Sequence, residues 1–267
     1  ERAALRTLSA VKRIAVLEAP DGRPLGVYVA DLLGGLRVVQ PPPLQDLGPL
    51  DLGFDLPEDV AVDVGARRLY VAHGSAVSVF GLTDPLRPTR LATIDTPGFA
   101  SGVAVGPEGL LGVADGEAGL SLYDLTDPAL PVPRGTVDTS GTAVRLAFST
   151  DGSRAFVADR EGGLLVVDLG VVPASILATF TLPFPVVDVS MASIWATGKV
   201  RIAAQAGGVY QLRLGEAAPP ATVTPTPRRT AMAHETPAGH GTPTGTIGDR
   251  IWLPHLLSGV GMAPVHP

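Results

Sequence analysis

One short pattern returns five times along the chain at a nearly constant interval. It reads Tyr28-Val29-Ala30-Asp31, Tyr70-Val71-Ala72-His73, Gly112-Val113-Ala114-Asp115, Phe156-Val157-Ala158-Asp159 and, most weakly, Ile202-Ala203-Ala204-Gln205. Counted from alanines 30, 72, 114, 158 and 204, the spacings are 42, 42, 44 and 46 residues. A period of about 40–50 residues is the length of one four-stranded blade of a β-propeller. A repeat of this size cannot bury its own apolar faces, so it must pack against its neighbours.

Each copy is followed, after a short turn, by a second run: Gly35 to Val39, Ala76 to Phe80, Gly119 to Tyr123, Gly163 to Val167 and Gly208 to Leu212. These runs are short and rich in Val and Leu, as strands are. A third strand precedes each pair, at Arg13 to Leu17, Asp59 to Val64, Ser101 to Val105, Val144 to Phe148 and Val186 to Ser190. A fourth is expected at 49–54, 90–95, 135–138 and 178–182. Helical periodicity is almost absent. The 32 Gly and 26 Pro fit many short elements joined by turns. The fold class is therefore all-β, a propeller of about five four-stranded blades followed by an extended Pro/Thr-rich tail.

The fifth copy has no obvious fourth strand. Leu5 to Leu8 is an unassigned strand before the first repeat, and it is expected to complete the last blade. Ala221 to Thr224 competes for that role, and a larger ring with further blades is the third reading. An open ring would leave sheet edges and apolar faces in water.

The net charge of −6 and the lack of any basic block argue against a nucleic-acid partner. No run of 18 apolar residues occurs, so no transmembrane helix is expected. With no cysteine, disulfides, thiolate metal sites and covalently attached haem are excluded. The sequence opens on Glu1 instead of Met, which reads as a removed leader or as part of a longer chain.

Two stretches carry a family resemblance. Val113 to Pro128 reads Val-Ala-Asp-Gly-Glu-Ala-Gly-Leu-Ser-Leu-Tyr-Asp-Leu-Thr-Asp-Pro, and Val157 to Leu169 reads Val-Ala-Asp-Arg-Glu-Gly-Gly-Leu-Leu-Val-Val-Asp-Leu. Both resemble the LVIVD-repeat β-propeller family, over roughly residues 11 to 215. At the ends Gln40 and Gln211 stand in or near the usual acidic position. The resemblance implies a bacterial secreted or cell-surface propeller, with fold and location better specified than activity.

The residues Asp31, His73, Asp115, Asp159 and Gln205 recur at one position per blade. They form either a polar ring near the central channel or a set of turn residues whose side chains accept backbone N–H bonds. Catalytic motifs are missing: there is no Gly-x-Ser-x-Gly elbow, no His/Glu set at zinc-ligand spacing and no phosphate-cradling glycine loop. No cofactor is expected.

Composition shifts near Ala217. The chain divides into a propeller at 1–216, a Pro/Thr/Gly-rich linker at 217–249 and an apolar segment at 250–267. Thr-Pro-rich stretches of secreted proteins attract O-glycosylation, whereas the absence of Asn rules out N-glycosylation. Ile251, Trp252, Leu253, Leu256 and Leu257 form a patch that should dock on a protein surface, its own propeller or a neighbour. His234, His240, His255 and His266, with Met232 and Met262, are weak candidates for a metal.

These features lead to a non-catalytic, secreted or cell-surface interaction and scaffold module. Its expected partner is protein, as a homo-oligomer or a larger extracellular assembly joined through the tail. The alternatives are a ligand-binding or hydrolytic propeller using the channel, and a periplasmic metal protein using the tail His and Met.

Overall fold

The structure, a computed structural model, describes residues 9–42, 44–53, 55–191, 199–205, 208–214 and 260–264. Strands fill it, with one 3-10 turn at Pro107–Gly109. Blade 1 comprises β1 (Val11–Glu18), β2 (Pro24–Asp31), β3 (Gly35–Gln40) and β4 (Gln45–Leu50). Blade 2 comprises β5 (Pro57–Asp63), β6 (Arg68–His73), β7 (Ala76–Gly81) and β8 (Thr89–Asp95). Blade 3 has β9 (Gly102–Val105), β10 (Leu110–Ala114), β11 (Leu120–Asp124) and β12 (Val132–Val137). Blade 4 has β13 (Arg145–Phe148), β14 (Arg154–Ala158), β15 (Leu164–Asp168) and β16 (Ser175–Phe180). Blade 5 has β17 (Val186–Met191), β18 (Lys199–Ala204), β19 (Gly208–Leu214) and β20 (Val260–Pro264). Each blade is an antiparallel sheet with its strands in chain order.

The pattern of burial explains the order. Second strands are covered on both faces, and β10 is buried throughout, so they read as continuous apolar runs. Outer strands are largely exposed, as in β12. Three of them carry proline, Pro49, Pro133 and Pro264, which an edge strand tolerates. First strands of successive blades, β1, β5, β9, β13 and β17, lie side by side and line the axis.

Apolar clusters join successive blades. Leu17, Tyr28 and Leu36 of blade 1 meet Val60, Leu69 and Phe80 of blade 2. Tyr70, Val77 and Val79 of blade 2 meet Leu111, Val113 and Tyr123 of blade 3. Leu120 and Leu122 of blade 3 meet Leu146, Phe148 and Val157 of blade 4. Phe156, Leu164 and Val166 of blade 4 meet Val189, Val200 and Ile202 of blade 5. Among the described residues, no such cluster joins blade 5 to blade 1.

Two expectations need correction. The fourth strand of blade 1 is Gln45–Leu50, not 49–54, because outer-strand side chains alternate with water and carry little apolar signal. The outer strand of blade 5 is Val260–Pro264, paired antiparallel with β19 through Tyr210↔Pro264 and Leu214↔Val260. It fills the place expected for Leu5 to Leu8 or Ala221 to Thr224, which both lie outside the described residues. The sheet edge at β19 needed a partner, and the chain supplies it from beyond the Pro/Thr-rich stretch. The C-terminal segment thus contributes to the propeller itself.

Candidate functional site

The axis holds an ionic network built from the first strands. Arg13 in β1 donates from Nε to Asp59 Oδ1 of β5 at 3.0 Å and from its guanidinium to Asp188 Oδ1 of β17 at 3.1 Å. Asp59 also accepts the backbone N–H groups of Val60 at 2.9 Å and Val103 at 3.0 Å. Arg145 of β13 has its Nε 3.8 Å from Asp59 Oδ2, and its guanidinium donates to the carbonyls of Ser101 and Glu58. Lys12 pairs with Glu58 at 3.0 Å. Asp59 therefore touches three other blades: blade 1 through Arg13, blade 3 through Val103 and blade 4 through Arg145. Arg13 is held above the ordinary arginine range by Asp59 and Asp188, against the opposing effect of burial, its largest single influence.

The repeated residues lie elsewhere. Asp31 and His73 end their second strands and Asp115 and Asp159 directly follow theirs, each nearly or wholly buried. Asp31, His73 and Asp159 bond to the segment entering the blade. Asp31 Oδ1 accepts Ser9 Oγ at 2.7 Å and Gly34 N at 3.2 Å. Asp159 accepts Thr139 Oγ1 at 2.7 Å and Gly141 N at 2.8 Å. Burial pushes the Asp159 carboxyl up, and those two donors partly offset it. Only glycine fits around this carboxylate: a Cβ at Gly162 would fall 2.0 Å from Asp159 Oδ2. Asp115 accepts Ser121 Oγ at 2.9 Å, while its Oδ1 is buried without a partner.

Gln205 does not join this set. Strand register pairs Ala203 with Val209, as Ala30 pairs with Leu36, and Ala204 with Gly208, as Asp31 pairs with Gly35. Ala204 thus occupies the repeated position, and Gln205 is the exposed residue after it. Two adjacent alanines made the sequence register ambiguous by one residue.

At His73 the contacts form a chain of three. His73 Nδ1 lies 3.1 Å from Asp55 Oδ2, and His73 Nε2 lies 2.8 Å from Ser78 Oγ. These are the distances of a Ser-His-Asp relay. Ser78, however, is 0% exposed, in the middle of the third strand of blade 2. A nucleophile must reach a carbonyl carbon, and this one meets only its own sheet. Burial lowers the His73 pKa, and the bond to Asp55 opposes that shift. Ser78 and Ser121 were legible as hydroxyls inside apolar strands, in Val77-Ser78-Val79 and Leu120-Ser121-Leu122. Thr139 and Gly141 belong to an Asp-Thr-x-Gly motif that occurs twice, at 95–98 and 138–141, and precedes blades 3 and 4.

A cleft of about 440 Å³ lies beside this chain, lined by Leu33, Pro49, Asp51, Leu52, Asp55 and Leu56. Among the described residues no three metal-ligating side chains cluster. No described helix is long and apolar enough to cross a membrane. Ile251, Trp252, Leu253, Leu256, Leu257, His234, His240, His255 and His266 lie outside the described residues.

A family model described as the LVIVD repeat matches residues 141–175, which span β13, β14 and β15 and reach the start of β16. The fourth blade of this five-bladed β-propeller thus carries an LVIVD repeat. Among curated proteins, none matches it. Solved structures share the fold of this LVIVD-repeat chain. A functionally unknown protein from Desulfotomaculum acetoxidans DSM 771 is 15% identical with a TM-score of 0.64, covering 79% of this chain and 67% of that one. The β-propeller domain of Cps50 (Swd1) from Myceliophteria thermophila is 12% identical with a TM-score of 0.65, covering 80% and 68%. At these identities the likeness speaks for the fold alone.

Proposed function

We propose that this LVIVD-repeat propeller is a non-catalytic interaction and scaffold module, secreted or displayed at the bacterial cell surface. The chain after residue 217 joins it to an extracellular assembly of like or unlike protein subunits. The observation that carries this reading is the arrangement at Asp55, His73 and Ser78. It is the closest approach to reactive chemistry among the described residues, and its hydroxyl is wholly buried. The axis supports the same reading, because Arg13, Asp59, Arg145 and Asp188 are held in ion pairs with one another. A ligand-binding or hydrolytic channel would need polar groups free to meet a substrate. Propellers offer rigid faces and loop-built surfaces suited to holding partners. β19 and β20 pair with each other, and residues 215–259 lie between them in the chain.

The test is native mass by light scattering. Full-length protein should assemble above the 27.4 kDa of one chain. A variant with residues 219–248 replaced by a short Gly/Ser linker keeps β20 and should run as a folded single chain. A full-length protein that stays a single chain at every concentration would overturn the proposal, as would a variant that still assembles.

A further inference from the structure

Blade 2 departs from blades 3 and 4 at one position. The end of its third strand reads Gly81-Leu82-Thr83-Asp84-Pro85, and the matching stretch of blade 3 reads Asp124-Leu125-Thr126-Asp127-Pro128. Only the first residue differs. Strand register gives the same alignment. Gly81 pairs with Arg68 of β6, Asp124 with Leu110 of β10, and Asp168 of blade 4 with Arg154 of β14. Blade 4 thus sets a carboxylate opposite its arginine, whereas blade 2 keeps the arginine and has no side chain opposite it.

A carboxylate at this position meets a defined set of donors. Asp124 Oδ1 accepts the backbone N–H of Thr126 at 2.9 Å and its hydroxyl at 2.7 Å, and Asp168 Oδ1 accepts Gly170 N at 2.8 Å. Thr83 brings the same N–H and hydroxyl to blade 2, and Gly81 has no side-chain oxygen to offer them. A cleft of about 460 Å³ opens here, lined by Arg67, Arg68, Gly81, Thr83, Thr89 and Leu91. Arg67 Nε donates to the Leu82 carbonyl at 3.2 Å, and Arg68 donates to the Leu125 carbonyl at 2.7 Å. These bonds hold each guanidinium at the cleft and leave further N–H groups on it. Among the described residues neither arginine forms an ion pair. Arg67, Thr83 and Thr89 are exposed, so a solute can reach them.

We propose that this cleft binds a carboxylate, which takes the place that Asp124 and Asp168 fill in the next two blades. The ligand accepts the Thr83 N–H and hydroxyl on one oxygen and the Arg68 guanidinium on the other. Arg67 adds a second positive charge at the rim. A planar carboxylate matches the fork of a guanidinium. Its source is either a free carboxylic acid or an Asp or Glu side chain of a partner protein. The site lies apart from the chain after residue 217, so it stands whether or not that stretch drives assembly.

The probes are acetate and the blocked peptide acetyl-Gly-Asp-Gly-amide, whose side chain is its one carboxylate. Each is titrated with full-length protein at constant ionic strength, because exposed charges are screened by salt. Binding is read as broadening of the probe's own NMR signals. Wild-type protein should give saturable broadening. Gly81→Asp supplies the carboxylate from the chain itself and should weaken binding about tenfold or more. This variant should fold, since a Cβ at Gly81 makes ordinary contacts, 3.4 Å from Leu91 Cδ1 and 3.5 Å from Thr89 Oγ1. Arg68→Met should also weaken binding about tenfold or more. Tighter binding of the peptide than of acetate supports the site and assigns it to a partner's side chain. Peptide binding no tighter than acetate supports the site and assigns it to a free acid. No saturable broadening with either probe overturns the inference, as does a Gly81→Asp protein that binds like wild type. Tighter binding of inorganic phosphate than of acetate also overturns it. None of these readouts uses native mass, which tests the assembly reading.

Discussion

Asp59 gives the sharpest energetic consequence of this architecture. Its carboxylate accepts Arg13, Val60 N–H and Val103 N–H, and Arg145 stands 3.8 Å away. Its side chain is 4% exposed, so water cannot replace these partners. Asp59→Ala would leave the Val103 N–H buried without an acceptor and two guanidinium groups facing each other without an anion. Breaking a buried pair by deleting one partner costs about 3–5 kcal/mol. Arg13 is partly wet, which argues for the lower half of that range. Asp59→Asn keeps an oxygen acceptor but loses the charge, and should cost about 1–2 kcal/mol. At about 2–4 °C per kcal/mol for a domain of this size, the alanine variant should melt roughly 10 °C lower. Urea unfolding followed by circular dichroism would show a lowered midpoint with an unchanged slope. A double-mutant cycle with Arg13→Met should give a coupling of about 1 kcal/mol or more. An Asp59→Ala variant destabilised by less than about 1 kcal/mol would refute the idea that this carboxylate ties the blades together.

Other consequences are simpler to state. Burial holds the His73 pKa below its usual 6.5, so the unfolded chain binds a proton before the folded one does. The stability from neutral His73 is therefore complete above pH 6.5 and is lost as pH falls below it; His73→Gln should flatten the thermal stability profile below pH 6.5. Ser78→Ala removes one buried bond to His73 and should cost about 1–2 kcal/mol in chemical unfolding, without altering the native mass. Phe156→Ala, at a fully buried position between blades 4 and 5, should cost about 3–5 kcal/mol by the same assay. Gly162→Ala drives a methyl group into the Asp159 carboxylate, and a wild-type melting temperature in that variant would contradict the turn geometry.

Much of this fold was readable in the sequence because blades repeat. Second and third strands carry continuous apolar runs, as in Leu69-Tyr70-Val71-Ala72, and first strands sit just before them. Outer strands were harder, since β4 and β12 face water and owe their place to the neighbouring strand rather than to their own side chains. Val260–Pro264 was illegible for a different reason. It is five residues long and separated from its partner by a long Pro/Thr-rich stretch, so pairing with β19 is a long-range choice with no local signature. At the candidate site, the repeated Asp31, Asp115 and Asp159 were visible, but two of their partners were not: Ser9 and Thr139 come from the segments entering the blades. Arg13, Asp59, Arg145 and Asp188 share a register position that alternates in charge, so residue identity gave no repeat to follow.

Amide hydrogen exchange on the full-length protein tests the architecture most directly. Slowly exchanging amides should fall into five groups, at β2–β3, β6–β7, β10–β11, β14–β15 and β18–β19, with protection in β19 on the side that pairs with Val260–Pro264 as well as on the side facing β18. Protection confined to four groups, or a β19 that exchanges like a bare edge, would contradict five complete blades and the C-terminal strand that finishes the last of them.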